Sequence, residues 1–466
     1  MCRSAQTFCR LSRIKRSLSS GVSALLLFGA LLAGCGSGTS TGLTGSTPSS
    51  AQSLEGVPAA ARAAAKSPPS AEVPSQAPAV VAGSMGVPAS WRILPPGTIL
   101  APRVGGRDVS AIDPFTGSRR VIVSALSPTS VAYGEDGCVY VSGATQQRIS
   151  RFDPATGLVT PVADLASHGG ALDMAFESAE VIVAACGDGA IVRVDVRSGA
   201  VATVATLPYY QPYAIASALL QNRIFAVGGR VNQVIAVDAR TGDVLQLPYI
   251  PDPGDVDVDA EGNLLVADVF DGFLFTLAPG STTPQIINRN LWAVNSIAAD
   301  TDGTVVGHDQ VTLSRFFPDG SARPITSGAF LDQAGRIDLV PSVLLSVSSL
   351  TVQRRGGNLG LEGAFAVRDV IDVPSTPFIV GVSGLTFEVP GGGLQPQGRD
   401  RYVYLAQTPA GGRVRVVLTG KGDRLYGLQL DASGVDGGAV NDPARISLRV
   451  GKRFAPVSVV VRPRFL

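Results

Sequence analysis

From about residue 97 to 342 the chain repeats itself roughly every 41 residues, and this period limits its fold more than any local propensity. An Asp-x-x-x-Gly segment ends one run of alternating residues after another: Asp113-Pro-Phe-Thr-Gly117, Asp153-Pro-Ala-Thr-Gly157, Asp195-Val-Arg-Ser-Gly199 and Asp238-Ala-Arg-Thr-Gly242. Shortened forms follow at Ala278-Pro279-Gly280 and Pro318-Asp319-Gly320. Within one repeat, Thr129 to Tyr133 turns at Glu135-Asp136-Gly137 and returns as Cys138 to Val141. Arg148 to Phe152 then turns at Asp153 to Gly157 and ends with Leu158 to Val162. Four short β-rich runs separated by turn residues make an antiparallel meander. Helical spacing is nowhere sustained, and glycine is too frequent for helix interiors.

Two landmarks share the period but are offset. The turn position falls at 113, 153, 195, 238, 277 and 317, whereas first strands begin at Ser130, Asp173, Ala214, Asp255, Ser296 and Arg336. The first turn precedes any first strand, and the last first strand has no later turn. Ring closure explains both: Arg336 to Val340 joins the runs 99–103, 108–113 and 119–124 in one sheet, protecting edges that an open array exposes. The expected architecture is all-β, a six-bladed β-propeller over residues 93–342 closed by that late strand. A seventh blade requires a different reading of residues 93–124. Beyond 342 the period stops. Short strands at roughly ten-residue spacing, separated by turns such as Pro390-Gly391-Gly392-Gly393, predict a small β-sandwich over residues 343–466.

The first 92 residues carry an address. Arg3, Arg10, Arg13, Lys15 and Arg16 precede the apolar run Ala24 to Leu32, and Leu32-Ala33-Gly34-Cys35 follows. A basic region, a short apolar core and a small-residue cleavage site make a secretory signal over 1–34, too short to span a membrane. Its end resembles a bacterial lipobox, which implies diacylglycerol and a further acyl chain such as palmitate on Cys35. Gly36 resembles the outer-membrane sorting signal. Residues 35–92, rich in Ser, Thr, Gly, Ala and Pro, cannot bury enough apolar surface to order themselves and are expected to be a flexible tether. The chain's net charge is +1, and losing five positive charges with the signal leaves about −4. That balance, without basic clusters, argues against nucleic acid as a partner. The expected setting is the cell envelope, with the membrane contacted through the lipid. Cys138 and Cys186 remain in the folded part, either paired or as two buried free thiols.

Pro253-Gly254-Asp255-Val256-Asp257-Val258-Asp259-Ala260-Glu261-Gly262-Asn263 resembles an NHL repeat, and Ser296 to Gly303 does so more loosely. The resemblance implies a blade and no particular activity. The wider superfamily includes ligand-binding scaffolds, gluconolactonase-like hydrolases and virginiamycin B lyase-like enzymes. The hydrolases build a metal site partly from Pro-Asn-Gly turns and the lyases carry Trp-Phe-Thr-Glu; this chain has neither.

First strands surround a propeller's channel, so Ser130, Asp173, Asp255, Ser296 and Arg336 are candidate ligand contacts, able to hold a polar ligand by charge-assisted hydrogen bonds. They are equally suited to capping strand ends. Tyr209, Tyr210 and Trp292 belong to loops at the same mouth and are candidate recognition aromatics. One level deeper the strands carry alanines except for Asp257 and Asp338. Asp255 and Asp257 fall on one side of a strand, where hard oxygen ligands suit Ca²⁺ or Mg²⁺; no other cofactor is expected. His168 and His308 are the only histidines, expected in mouth loops of opposite blades, and His308 beside Asp309 is a candidate general base. The leading expectation is a noncatalytic scaffold that binds a protein or small-molecule ligand. A metal-dependent hydrolase or lyase and a structural envelope component are the alternatives.

Overall fold

The computed structural model describes residues 88–463, apart from short stretches at 125–126, 144, 208–210, 219–220, 229–232, 290–293, 310, 354–356, 409, 423, 442 and 460–461. The expected signal, Cys35 and nearly all of the expected tether lie outside the described residues, as do Tyr209, Tyr210 and Trp292.

The repeat folds as all-β meanders. Six four-stranded antiparallel sheets are present among the described residues up to Leu339. The second consists of Ser130–Tyr133, Val139–Gly143, Arg148–Phe152 and Val159–Asp164. The third to sixth begin with Ala171–Ser178, Pro212–Ala218, Pro253–Val258 and Ser296–Ala299. The first sheet is assembled from both ends of the repeat region. Asp338–Leu339 lies beside Ile99–Arg103, with Ile99 opposite Leu339 and Leu100 opposite Asp338, and Asp108–Ile112 and Arg119–Ser124 follow. The first strands of successive sheets are neighbours in order, and Asp338–Leu339 packs against both Ser296–Ala299 and Ser130–Tyr133. Val139, Ile149, Ile182, Ile191 and Ile224, on second and third strands of these sheets, are fully buried.

The repeated aspartate has a clear physical task. Asp195 accepts the amide hydrogens of Arg197 (3.0 Å) and Ser198 (2.8 Å), and Gly199 N–H closes onto the Asp195 carbonyl at 2.8 Å. Asp238 does the same with Arg240, Thr241 and Gly242. The glycine is required twice over. Gly199 and Gly242 have φ near +73° and +77°, and a Cβ there would stand 2.3 Å from the carbonyl oxygens of Val162 and Val204 on the preceding sheet.

After Ser342 the chain builds two further sheets, one of seven strands and one of four, around a single apolar core. Phe365 and Tyr426 stack within it, with centroids 5.1 Å apart, and Phe378 tilts against Phe365. A short helix, Ala89–Ile93, places Trp91 in a second cluster that joins the repeat region to Leu344 and Ala366. Residues 89–92, expected in the tether, are thus helical, with Trp91 buried. Cys138 and Cys186 are buried free thiols.

The C-terminal sheets are bound to the repeat region by a buried ion cluster. Arg368 reaches Asp300 (2.7 Å), Asp302 (2.6 Å) and Asp369 (2.8 Å); Arg315 also meets Asp300, and Arg453 meets Asp369. Arg368 and Asp300 are almost wholly removed from solvent, so breaking the pair would strand a buried charge. Replacing Arg368 with alanine is expected to lower unfolding free energy by about 3–5 kcal/mol, measured by urea denaturation. A loss within the range of a surface pair, under about 1 kcal/mol, would contradict this role.

Candidate functional site

The first strand of each sheet is an edge strand, so one row of its backbone amides has no partner strand. Side chains of the adjacent sheet meet that need. Asp255 accepts Ile297 N–H on the next sheet (2.7 Å) and Val256 N–H on its own strand (3.0 Å). Two residues on, Asp257 repeats the arrangement with Ala299 (2.6 Å) and Val258 (2.7 Å). Asp338 bridges Leu339 and Tyr133, and Asp300 accepts Ser342 N–H. Asp173 takes the Ser130 hydroxyl at 2.7 Å and Ile215 N–H at 2.8 Å, while the Ser296 hydroxyl accepts Ile337 N–H. Between the fourth and fifth sheets a tyrosine substitutes: the Tyr213 hydroxyl donates to the Pro253 carbonyl at 2.9 Å.

The structure thus brings Ser130, Asp173, Asp255, Ser296 and Arg336 together, but in contact with the protein itself. Ser130, Asp173, Asp255 and Ser296 are buried. Arg336 pairs with Asp255 at 3.2 Å, donates to the carbonyls of Asn295 and Tyr213, and lies over the Tyr213 ring. The oxygens of Asp255 and Asp257 face amides of their own strand and of the next sheet. Among the described residues no group of three or more His, Cys, Asp or Glu side chains is placed to hold a metal ion. His308, expected in a mouth loop, ends the strand Val305–His308 and is fully buried; its ring nitrogens face the carbonyls of Asp309 (2.8 Å) and Gly335 (3.2 Å). Burial lowers its pKa, with Arg336 adding to the effect, although the two backbone contacts pull the other way. A base so enclosed cannot meet a substrate in this conformation. His168 does lie in an inter-sheet connection, 2.9 Å from Asp188.

Between the first strands is a cavity of about 290 Å³, bounded by Asp173, Asp255, Asp257, Asp338 and Arg336 among aliphatic groups. Burial pushes Asp257 up to about 8, and the nearby charges of Asp338 and Asp255 add to it; the two amide bonds oppose the shift. Asp173 is raised to about 7, by burial and then by Asp255, against Arg336, Ser130 and the Ile215 amide. Burial lifts Asp338 to about 6 against its amide bonds.

The two ends of the sheets differ. In a meander, the turns joining strands one to two and three to four share one end. That end meets the remainder of the protein: Arg368 at Asp300 and Asp302, Ser90 near Gly137, and Arg424 over the Phe115 ring. The opposite end carries Val104, Tyr249, Phe270 and Val311, all solvent-exposed, with Tyr249 at 73% and Phe270 at 67%. The sequence reading missed these four, although Tyr249 and Phe270 stand in turn-rich connections where an aromatic has no core to enter.

No family model matches the chain, and no curated protein matches it. Among solved structures, the nidogen/laminin complex is similar with a TM-score of 0.46 and 10% identity, covering 52% of this chain and 98% of that one. Virginiamycin B lyase from Staphylococcus aureus is similar with a TM-score of 0.37 and 12% identity, covering 65% and 94% respectively. With TM-scores below 0.5, neither bears on what this chain does.

A pH dependence follows from Asp173, Asp257 and Asp338. Their folded pKa values lie above the unfolded value, so the native state holds extra protons between about pH 4 and 8. The stability associated with those protons falls as pH rises through this window. Between pH 6 and 8.5 the melting temperature is expected to decline, and Asp257→Asn to flatten the decline; equal slopes in both proteins would contradict a raised Asp257 pKa.

Proposed function

We propose that this chain is a lipid-anchored envelope protein whose repeat region is a six-bladed NHL-like β-propeller, closed by the late strand, with a C-terminal β-sandwich. It acts as a noncatalytic scaffold that binds a protein partner across one end of the propeller. The observation that carries this reading is the asymmetry of the two ends. One end is occupied by the buried Arg368 cluster and by Trp91, whereas the other presents Val104, Tyr249, Phe270 and Val311 to solvent. Exposed aromatics on loops suit protein contact, because they bury large area at small entropic cost.

The engagement of the inner polar residues also supports binding over chemistry. Asp255, Asp257 and Arg336 serve neighbouring strands, and His308 is enclosed. A hydrolase or lyase centred on them would have to break the contacts between sheets in order to receive a substrate.

In-cell photocrosslinking tests the face. A photoreactive phenylalanine analogue at Phe270 is expected to give one discrete adduct, lost when Tyr249 is replaced by aspartate. The same analogue at exposed Leu158, at the other end, is expected to give none. Equal adducts from both positions, or none from Phe270, would remove the proposed face. Anchoring is tested separately: Cys35→Ser is expected to move the protein from the membrane fraction to the soluble fraction, and continued sedimentation with membranes would refute the lipid anchor.

A further inference from the structure

A second cavity lies at the end occupied by the C-terminal sheets, away from the proposed binding face. It measures about 410 Å³, within the roughly 300–1,000 Å³ typical of small-molecule sites, which favour junctions between packed units. Its floor is the seam between the fifth and sixth sheets, where Leu265, Leu274, Val305 and Phe316 are buried side chains that also line the cavity. One wall is acidic and comes from turns of the repeat: Asp259, Glu261 and Asp302. The other is basic and comes from the hairpin that joins Ala444–Val450 to Arg453–Val459, contributing Arg449 and Lys452.

Not all of these charges are available. Asp259 holds its own turn, accepting Glu261 and Asn263 amides and the Asn263 side chain, and Asp302 is bound to Arg368. Glu261 and Lys452 are exposed, and neither takes part in an ion pair among the described residues; Arg449 is half-buried, with its guanidinium 5.9 Å from the Phe454 ring. The Arg368 cluster anchors the C-terminal sheets beside Asp302, so the two walls are held before any ligand arrives. A pocket fixed in this way avoids the ordering cost that weakens flexible sites.

We propose that this cleft binds a small zwitterion with an apolar body, the size of a dipeptide of aliphatic residues. The carboxylate would meet Lys452 and Arg449, the ammonium would meet Glu261, and the aliphatic side chains would cover Ile287, Phe317 and Pro318 above that floor. Opposed charges on facing walls select for both ends of such a molecule, and the apolar floor selects against glycine-like ones.

Isothermal titration of the full chain with leucyl-leucine provides the test, with N-acetyl-leucyl-leucine and leucyl-leucine amide as probes of each charge. Binding tighter than about 1 mM is expected for the free dipeptide, and at least a tenfold loss for either capped form. Lys452→Glu and Glu261→Lys are each expected to weaken binding tenfold, and the double exchange to recover part of the loss. Both residues sit on exposed turns, so the melting temperature is expected to be unchanged. No heat at about 1 mM dipeptide, or binding indifferent to both exchanges, would overturn the proposal.

Discussion

The fold depends on how the first strand of each sheet deals with its unpaired edge. An edge amide shut away from water costs about 1–3 kcal/mol if it finds no acceptor, and six such edges face one another here. A neighbouring strand cannot supply a full ladder, because the sheets are arranged side by side and not edge to edge. Short acidic and hydroxyl side chains provide the acceptors instead. Asp255, Asp257 and Asp338 each take one amide from their own strand and one from the next sheet, so a single carboxylate both satisfies an edge and fixes the spacing between sheets. The contact between Asp338 and Tyr133 joins residues 205 positions apart and ties the late strand to the start of the second sheet.

These contacts have an electrostatic cost. Carboxylates accepting two amides ordinarily titrate low, yet Asp257 is raised to about 8, because its removal from water outweighs both hydrogen bonds. The surface aspartates show the opposite balance. Asp195 and Asp238 make comparable amide bonds in turns where water remains, and their pKa values fall below the ordinary range. The same residue type in the same kind of hydrogen bond titrates in opposite directions according to depth. The C-terminal sheets then give the repeat region two dissimilar ends, one fastened through Arg368 and one left to solvent, and this asymmetry gives the proposed scaffold a direction.

Much of the architecture could be read from particular residues. The Asp-x-x-x-Gly turns announce meanders because only glycine fits the positive φ and close approach at Gly199 and Gly242. The offset between turns and first strands pointed to residues 336–340 as a partner for 99–103, and Asp338–Leu339 does pair with Ile99 and Leu100. In sequence the glycines of the strand Asn358–Val367 resemble turn signals. In fact Gly363 lies where a Cβ would come within 2.4 Å of the Ser346 carbonyl, and Gly360 where it would meet the Thr351 hydroxyl at 2.8 Å. The candidate site was legible as a set of residues but not as a set of roles. Asp255 and Arg336 sit as near each other as expected, yet their hydrogen bonds run to backbone groups that carry no mark in a side-chain pattern.

Sequence alone determined the period, the turn chemistry and the all-β character, since these follow from local backbone restrictions and from alternation within a few residues. Tertiary structure alone decided which acids are buried, that His308 is enclosed, that Arg368 reaches Asp300, and which loops stay uncovered. Each of these depends on contacts between segments far apart in the chain, and burial, which sets both charge state and availability, is a property of the packed assembly of sheets and of no single stretch within it.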